Sequence, residues 1–232
     1  MIAMDVKIIY EDNHLLVVLK PANVLSQKDH TEDEDLLAIL KNYLKEKYQK
    51  PGAVYLGLVH RLDRRVGGLM VYAKTSKAAS RLSESIRNGS FHKEYLALVE
   101  GVVTGEGVLK NYIRKVERNG KQYAEVYDHV EPEVKEVILE YNLLRHINIK
   151  GAHCSLLRIN LLTGRYNQIR SQLAHFGHPI VNDFKYGYHG ENFSDQLGLY
   201  CFRLSFPHPT RDEIMEYEYY PEDGLWATIK EE

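Results

Sequence analysis

Short strand-like segments joined by turn residues recur along this chain, and they limit its possible folds more than any other feature. Residues 6–27 contain two such segments around a turn at Glu11-Asp12-Asn13, and the Asn-Gly pair within 118–121 marks a second turn. Asn-Gly turns join antiparallel strands, whereas parallel strands need long crossover connections. The sequence therefore predicts an α/β (α+β) fold with a mixed, mainly antiparallel sheet and flanking helices, rather than a doubly wound parallel sheet.

Apolar residues at helical spacing predict three helices. The first lies within 33–52 and is stopped by Pro51-Gly52. The second follows Thr75 or Ser76, either of which suits the N-cap, and ends at Gly89. The third covers 165–177. Strands are expected at 93–101, through the middle of the chain as far as Thr163-Gly164, and twice in the tail.

The length of 232 residues allows one large domain or two small ones, and we expect a single domain over 1–232. No run of eighteen apolar residues occurs and the first residues lack a basic, apolar leader, so we expect neither a membrane span nor a signal peptide. Cys154 and Cys201 form no Cys-x-x-Cys pair, which favours a reducing compartment and disfavours a zinc site. The chain is thus expected to be cytoplasmic, with a monomer as the default.

The charge distribution is uneven. A net charge of −2 and a pI of about 6.6 argue mildly against a nucleic-acid binder. From Arg61 to Lys93, however, the sequence contains eight basic residues and only two acidic ones. A local basic face on a nearly neutral protein can still bind phosphates, although chance clustering on a solvated surface would look the same.

One carboxylate, Asp63, stands among three arginines in the stretch Gly57 to Lys74, between two apolar runs. A guanidinium group beside a carboxylate keeps it ionised at neutral pH. Asp63 is therefore a candidate nucleophile or base. The alternative is a surface cluster of salt bridges. Gly67-Gly68 favours a site, because glycines permit close chain approach.

Two further segments carry candidate site residues. Arg170 follows the apolar Ile169 in the third helix, where it borders the buried face and can reach a carboxylate, or its stem can simply cover apolar surface. Tyr95 in the 93–101 strand faces the core, either as ordinary packing or as a ring on which a flat ligand stacks. His175 and His178 are three residues apart, but no acidic or thiol partner lies near them in sequence and we expect no metal site.

Five blocks in this order resemble the RluA-type pseudouridine synthases. They are VVLKPANVLSQ, HRLDRRVGGLMVYAK, KEYLALVEG, LLTGRYNQIRSQLAHFGHPIVNDFKYG and LYCFRLSFPHP, and the similarity extends over about 6–226. Many members of this family begin with a small S4-type RNA-binding domain, for which the Lys-Pro block at residue 20 is expected to leave no room.

The resemblance implies isomerisation of specific uridines to pseudouridine in rRNA or tRNA, without a cofactor or metal and with the target nucleotide flipped out of the RNA. It implies that Asp63 is catalytic, that Tyr95 stacks on the uracil, and that Arg170 pairs with Asp63 chiefly through its positive charge. Other residues are expected to contact the substrate RNA: Lys20, His60, Arg61, Arg64, Arg65, Arg165 and Ile169.

The sequence departs from the family pattern at three places. Val66-Gly67-Gly68 replaces Thr-Ser-Gly, Asn167 replaces a histidine, and Ala22-Asn23 replaces a glycine after the Lys-Pro block. A catalytically inactive RNA-binding paralogue is therefore the alternative function, although Asp63 is retained. A hydrolase using Asp63 with His60 is disfavoured, because no second acid or nucleophilic block accompanies them.

Overall fold

A computed structural model describes residues 6–31 and 33–229, so the ends of the predicted domain 1–232 lie outside it. The described chain forms two compact units. Unit 1 contains the described residues up to His92 together with Cys201–Tyr220, and unit 2 contains Lys93–Tyr200 and the described residues from Pro221 onward. That the whole chain acts as one catalytic domain stays a prediction.

Unit 1 is built on a sheet with the strand order β1-β2-β4-β10, in which β3 also pairs with β4 and β11 pairs with β10. The elements are β1 Ile8–Glu11, β2 Leu15–Lys20, α1 Leu36–Lys47, β3 Gly57–Leu58, β4 Gly67–Ala73, α2 Ser76–Arg87, most of β10 Leu199–Pro207, and β11 Ile214–Glu218. All seven residues of β4 are buried, as its apolar composition requires of a central strand. Each helix has a side-chain N-cap: Asp35 accepts a hydrogen bond from Ala38, and Thr75 accepts one from Ala78.

A charged cluster around Glu11 ties β1 to α1 and to the end of β4. The Glu11 carboxylate accepts hydrogen bonds from Lys47 at 2.7 Å, Lys74 at 2.7 Å and Tyr48 at 2.6 Å. Burial by itself raises the pKa of Glu11, but these hydrogen bonds outweigh it and bring the pKa to about 2. The folded protein therefore holds this carboxylate as an anion.

Unit 2 is a sheet with the strand order β5-β9-β8-β6-β7, and all four pairings are antiparallel. Its elements are β5 His92–Glu100, β6 Glu106–Arg118, β7 Lys121–Tyr127, β8 Lys135–Ile149, β9 Ala152–Leu161, helix α3 Gln168–His175 and two short 3-10 turns, Phe184–Tyr186 and Gly224–Ile229. β7 is the last strand in this order. A small core of Ile113, Ala124 and Val137 lies under Tyr166 and Tyr186.

The predicted fold class is confirmed: the sheet is mainly antiparallel, and helices flank it. The expected hairpin lies between β6 and β7, and Thr75 rather than Ser76 is the N-cap of α2. The third helix is shorter than predicted, because Asn167 has a left-handed backbone with φ of 50° and the helix begins only after it. Within 6–31 and 33–229, no helix combines the length and apolar character needed to cross a membrane.

Candidate active site

In unit 1, Asp63 lies in the loop between β3 and β4, and several side chains fix the backbone of this loop. The Val66 N–H donates to the Asp63 carbonyl at 3.0 Å and closes a turn. The Ser26 hydroxyl donates to the Leu62 carbonyl at 2.7 Å and accepts from the Leu62 N–H at 3.2 Å. Residues on both sides of Asp63 are therefore held in place, while the Asp63 side chain itself is half-buried. Such support is what a preorganised catalytic carboxylate needs.

Lys20, at the end of β2, is the deepest support of this loop. Its side chain is 1% exposed, and its ammonium donates to the carbonyls of Pro21, Val24 and Arg64 at 2.9, 2.7 and 3.0 Å. Burial lowers the pKa of Lys20 to about 7, while the negative charge of Asp63 acts in the opposite direction. This position favours a supporting role for Lys20 over the predicted contact with RNA.

His60 is also inside unit 1. Its Nε2 accepts a hydrogen bond from the Val71 N–H at 3.1 Å, and its ring lies 5.4 Å from that of Phe91. An Nε2 that accepts from a backbone amide is not available as a general base toward a substrate. The structure therefore weakens the hydrolase alternative, and it favours packing over the predicted RNA contact for His60.

The three arginines around Asp63 have different surroundings. Arg64 forms an ion pair with Asp33 at 2.6 Å and donates to the Asn23 carbonyl at 3.3 Å. Arg65 is half-buried, whereas Arg61 is exposed and has no ion pair among the described residues. Of the three, Arg61 is the best placed to bind a phosphate. The contacts of all three with RNA stay predictions.

Gly68 in β4 is required by the chain packing beside this loop. Its φ is 125°, and a Cβ at this position would lie 2.3 Å from the Cys201 carbonyl oxygen and 2.6 Å from the Cys201 nitrogen. Only glycine allows the two backbones to approach this closely. The replacement of the usual Thr-Ser-Gly by Val66-Gly67-Gly68 therefore keeps the one glycine that the packing needs.

In unit 2, Arg170 projects from the first turn of α3 and forms a two-pronged ion pair with Asp183. Arg170 Nε donates to Asp183 Oδ2 at 2.7 Å, and Nη2 donates to Oδ1 at 2.8 Å. Asp183 is fully buried and the side chain of Arg170 is 10% exposed. The guanidinium carbon also lies 5.0 Å from the centroid of the Tyr186 ring. The guanidinium is therefore held along one edge by Asp183 and on one face by Tyr186.

An amide network joins α3 to the sheet of unit 2. Gln168 accepts hydrogen bonds from the Thr163 hydroxyl at 2.9 Å and the Arg165 N–H at 3.1 Å, and it donates to Gln172 at 2.9 Å. Gln172 in turn donates to Asn111 at 2.9 Å. The loop before α3 and the helix itself are thus fixed together, which sets the direction of Arg170.

The other predicted residues of unit 2 are placed as follows. Tyr95 on β5 is 5% exposed and is paired opposite Ile159, as expected for an inward-facing residue. Ile169 is 5% exposed, and Arg165 is exposed in the loop before α3. The pairing of Arg170 with Asp63 and the stacking of Tyr95 on uracil stay predictions.

Sequence reasoning missed Asp183, Tyr186 and the support given by Ser26. A usable signal existed for Asp183, which is a lone carboxylate after the apolar residues Ile180 and Val181. A carboxylate in such a segment needs a cation to compensate its burial. Among residues 6–31 and 33–229, no group of three or more His, Cys, Asp or Glu side chains has the arrangement of a metal site.

The fold gives the structural class of the protein first. The solved structure of human RNA pseudouridylate synthase domain containing 1 matches this chain with a TM-score of 0.76 at 24% identity, covering 95% of this chain and 85% of that one. This likeness shows that the fold is that of pseudouridylate synthase domains.

The sequence comparison then gives the family. The family model for RNA pseudouridylate synthase matches residues 14–175, so the chain belongs to this family. A ribosomal large subunit pseudouridine synthase D of Yersinia pestis is 33% identical over 224 residues, which are 90% of this chain and 65% of that protein. A tRNA pseudouridine synthase C of Vibrio parahaemolyticus is 28% identical over 231 residues, 93% of this chain and 90% of that protein. The chain spans 63%, 65% and 64% of the length of three ribosomal large subunit pseudouridine synthases that it matches.

Proposed function

We propose that this protein is an RNA pseudouridine synthase that isomerises specific uridines of rRNA or tRNA. Its family membership supports this proposal, and so do relatives whose names assign them to ribosomal RNA or to tRNA. The observation that carries it is the Asp63 loop, in which an aspartate from a family block is flanked by the backbone supports of Ser26 and Lys20. We place the reaction in the cytoplasm.

The proposed reaction rearranges one nucleotide without an external reactant. The bond between N1 of uracil and C1′ of the ribose breaks, the base turns, and a bond forms between C5 and C1′. C5 loses its proton and N1 gains one, so atoms and electrons balance without a cofactor. The nucleotide is first flipped out of the stacked RNA, at a cost of a few kcal/mol.

In this proposal the carboxylate of Asp63 acts on the flipped uridine, either as a nucleophile or as the base that removes a sugar proton. Tyr95 supplies a ring for the uracil, and Arg170 supplies directed N–H groups that stabilise the anionic carboxylate. Arg61 binds the RNA backbone from the exposed side of the Asp63 loop. Lys20 acts through the loop and does not touch the substrate.

The test is the release of tritium from rRNA and tRNA transcripts labelled at C5 of uridine. We expect Asp63→Asn to abolish tritium release while circular dichroism and RNA binding stay unchanged. Asp33→Asn is the matched control, because Asp33 is an exposed aspartate paired with Arg64 in the same unit, and it should retain activity. Full activity of Asp63→Asn would remove the catalytic assignment.

The same assay separates the alternative function. Asn167 and Val66-Gly67 depart from the family pattern, which favours an RNA-binding paralogue without activity as the second candidate. In that case the wild-type protein binds RNA but releases no tritium from any rRNA or tRNA transcript.

A further inference from the structure

A group of lysine and tyrosine side chains in unit 2 lies outside the catalytic assignment. We define the Lys-Tyr cluster as Lys115, Tyr123, Tyr166, Lys185 and Tyr186. The Lys185 ammonium lies 5.0, 5.3 and 5.4 Å from the ring centroids of Tyr123, Tyr166 and Tyr186. The Lys115 ammonium lies 4.9 Å from the centroid of Tyr166. Two cations and three rings therefore form one continuous group.

Part of this arrangement has a structural explanation. The Ala124 N–H of β7 donates to the Tyr186 hydroxyl at 2.9 Å, and the Tyr166 hydroxyl donates to the Gln122 carbonyl at 3.4 Å. These bonds satisfy backbone groups along the edge of β7, which would otherwise be open to pairing with another chain. The Lys185 ammonium also donates to the Tyr166 hydroxyl at 3.2 Å. These hydrogen bonds account for both hydroxyl groups and anchor Lys185, but none of them involves the exposed Lys115.

The charge of the cluster is positive. Lys115 is exposed and forms no ion pair with any residue in the described part of the chain. The nearby acid of β7, Glu125, is already paired with Arg114 at 3.5 Å and with Arg118. Glu125 is thus engaged by two arginines, and Glu117, the exposed carboxylate two residues along β6, forms no ion pair with Lys115 in the described part of the chain, so an anionic partner is favoured.

The cluster is continuous with Arg170 through a shared ring. Tyr186 lies under the guanidinium of Arg170 at 5.0 Å and beside the ammonium of Lys185 at 5.4 Å. Ammonium groups form ion pairs with phosphates, and tyrosine rings stack on bases. Proteins that bind single-stranded nucleic acid combine cationic and aromatic side chains in this way. Tyr123 and Tyr166 are half-buried, so their rings are fixed but still accessible.

We propose that the Lys-Tyr cluster binds the single-stranded RNA that flanks the target nucleotide. The inference rests on the proposed function, since it assigns the surface on which the substrate of that reaction lies. An acidic protein would also be attracted by the lysines, but the tyrosine rings favour RNA.

The test compares lysine variants on RNA binding and on kinetics. The double variant Lys115→Gln/Lys185→Gln should raise the Kd for a fluorescein-labelled 12-nucleotide oligouridine about tenfold. The slope of log K against log salt should fall by about 1.4, since each single-strand phosphate contact contributes about 0.7. Lys110→Gln is the matched control, because Lys110 is an exposed cation of the same strand that is paired with Glu136, and it should leave both values unchanged.

A ring variant separates stacking from charge. Tyr166→Leu should raise the Kd about fivefold, whereas Tyr166→Phe, which keeps the ring and loses only the hydroxyl contacts with Gln122 and Lys185, should bind like the wild type. In the tritium assay the lysine effect should fall on KM rather than on kcat. Circular dichroism of every variant checks that unit 2 remains folded.

The outcomes distinguish the two proposals. If the lysine double variant binds RNA like the wild type, or if Lys110→Gln weakens binding equally, the cluster is not an RNA surface, whatever the activity. If the wild type releases no tritium but the double variant loses RNA binding, the surface stands and the isomerase assignment falls.

Discussion

The buried pair of Arg170 and Asp183 gives the sharpest prediction about unit 2. Its side chains make two charge-assisted hydrogen bonds, at 2.7 and 2.8 Å, with almost no exposure to solvent. Arg170→Met leaves the buried Asp183 carboxylate without its guanidinium partner, and Asp183→Ala removes the carboxylate that accepts two hydrogen bonds from Arg170. Each variant should lower the free energy of unfolding by about 3–5 kcal/mol, because an uncompensated buried charge is expensive.

The double variant should cost far less than the sum of the single ones. Two unit charges about 4 Å apart attract by about 4 kcal/mol at an effective dielectric constant near 20. The cost of removing both charged groups from water offsets most of this attraction. A double variant that lacks both charges therefore avoids the free-energy cost that each single variant pays for one uncompensated charge. We therefore expect a coupling energy of about 3 kcal/mol and a double variant no less stable than either single one.

Urea denaturation measures this coupling. The one tryptophan, Trp226, is buried in unit 2 and its fluorescence reports the unfolding of that unit. If a single variant does not fold, Asp183→Asn keeps the shape and supplies the measurement. Additive free energies, with a coupling below about 1 kcal/mol, would refute the argument.

Activity tests the same geometry. From the sequence, lysine should replace arginine at 170 because only a positive charge is needed. The two-pronged contact changes this expectation, because an ammonium cannot reproduce both directed bonds to Asp183. Arg170→Lys should lose at least one charge-assisted hydrogen bond, about 1.5–3 kcal/mol, and most of its tritium release. Wild-type activity in this variant would show that orientation is unimportant.

Two predictions concern unit 1. Gly68→Ala should destabilise the protein by about 3 kcal/mol or more, through a strained backbone and a clash with Cys201, while Gly52→Ala, where a Cβ meets nothing within 4 Å, should be neutral in thermal unfolding. Glu11→Gln should cost about 1–2 kcal/mol at pH 7, a value reduced for the exposure of Lys47. Because the folded pKa of Glu11, about 2, lies below its ordinary 4.5, this stabilisation is present above pH 4.5 and is lost as the pH falls toward 2, so wild type and variant should converge there in urea titrations.

Local patterns were enough to predict most of the fold. The β6–β7 hairpin follows from its Asn-Gly turn, and the start of α2 follows from Thr75, because both depend on residues adjacent in sequence. The start of α3 was predicted too early, because Asn167 has a left-handed backbone and its partner is distant in sequence. The side-chain amide of Asn167 donates to the Tyr186 hydroxyl at 3.1 Å. Boundaries set by distant partners leave no local signal.

The candidate site was also predicted only in part. Motif blocks identified Asp63 and Arg170, but not what surrounds them. The family resemblance implied a contact of Lys20 with RNA, yet three backbone carbonyls hold Lys20 inside unit 1. The sequence shows that a cation is present, whereas only the fold shows which acceptors its protons meet.

The pairing of Arg170 with Asp183 also limits what Arg170 can contribute to the proposed reaction. The two charges together are close to neutral, so the pair offers little net positive potential to a second carboxylate at a distance. Two of the five guanidinium N–H groups point at Asp183, and the remaining ones have directions fixed by that contact and by the ring of Tyr186. Any role of Arg170 in the proposed reaction is therefore expected to depend on the directions of its N–H groups rather than on bulk charge. The buried Asp183 thus gives the N–H groups of Arg170 fixed directions. Hydrogen-bond donors with fixed directions are well suited to stabilise a group whose charge changes during a reaction.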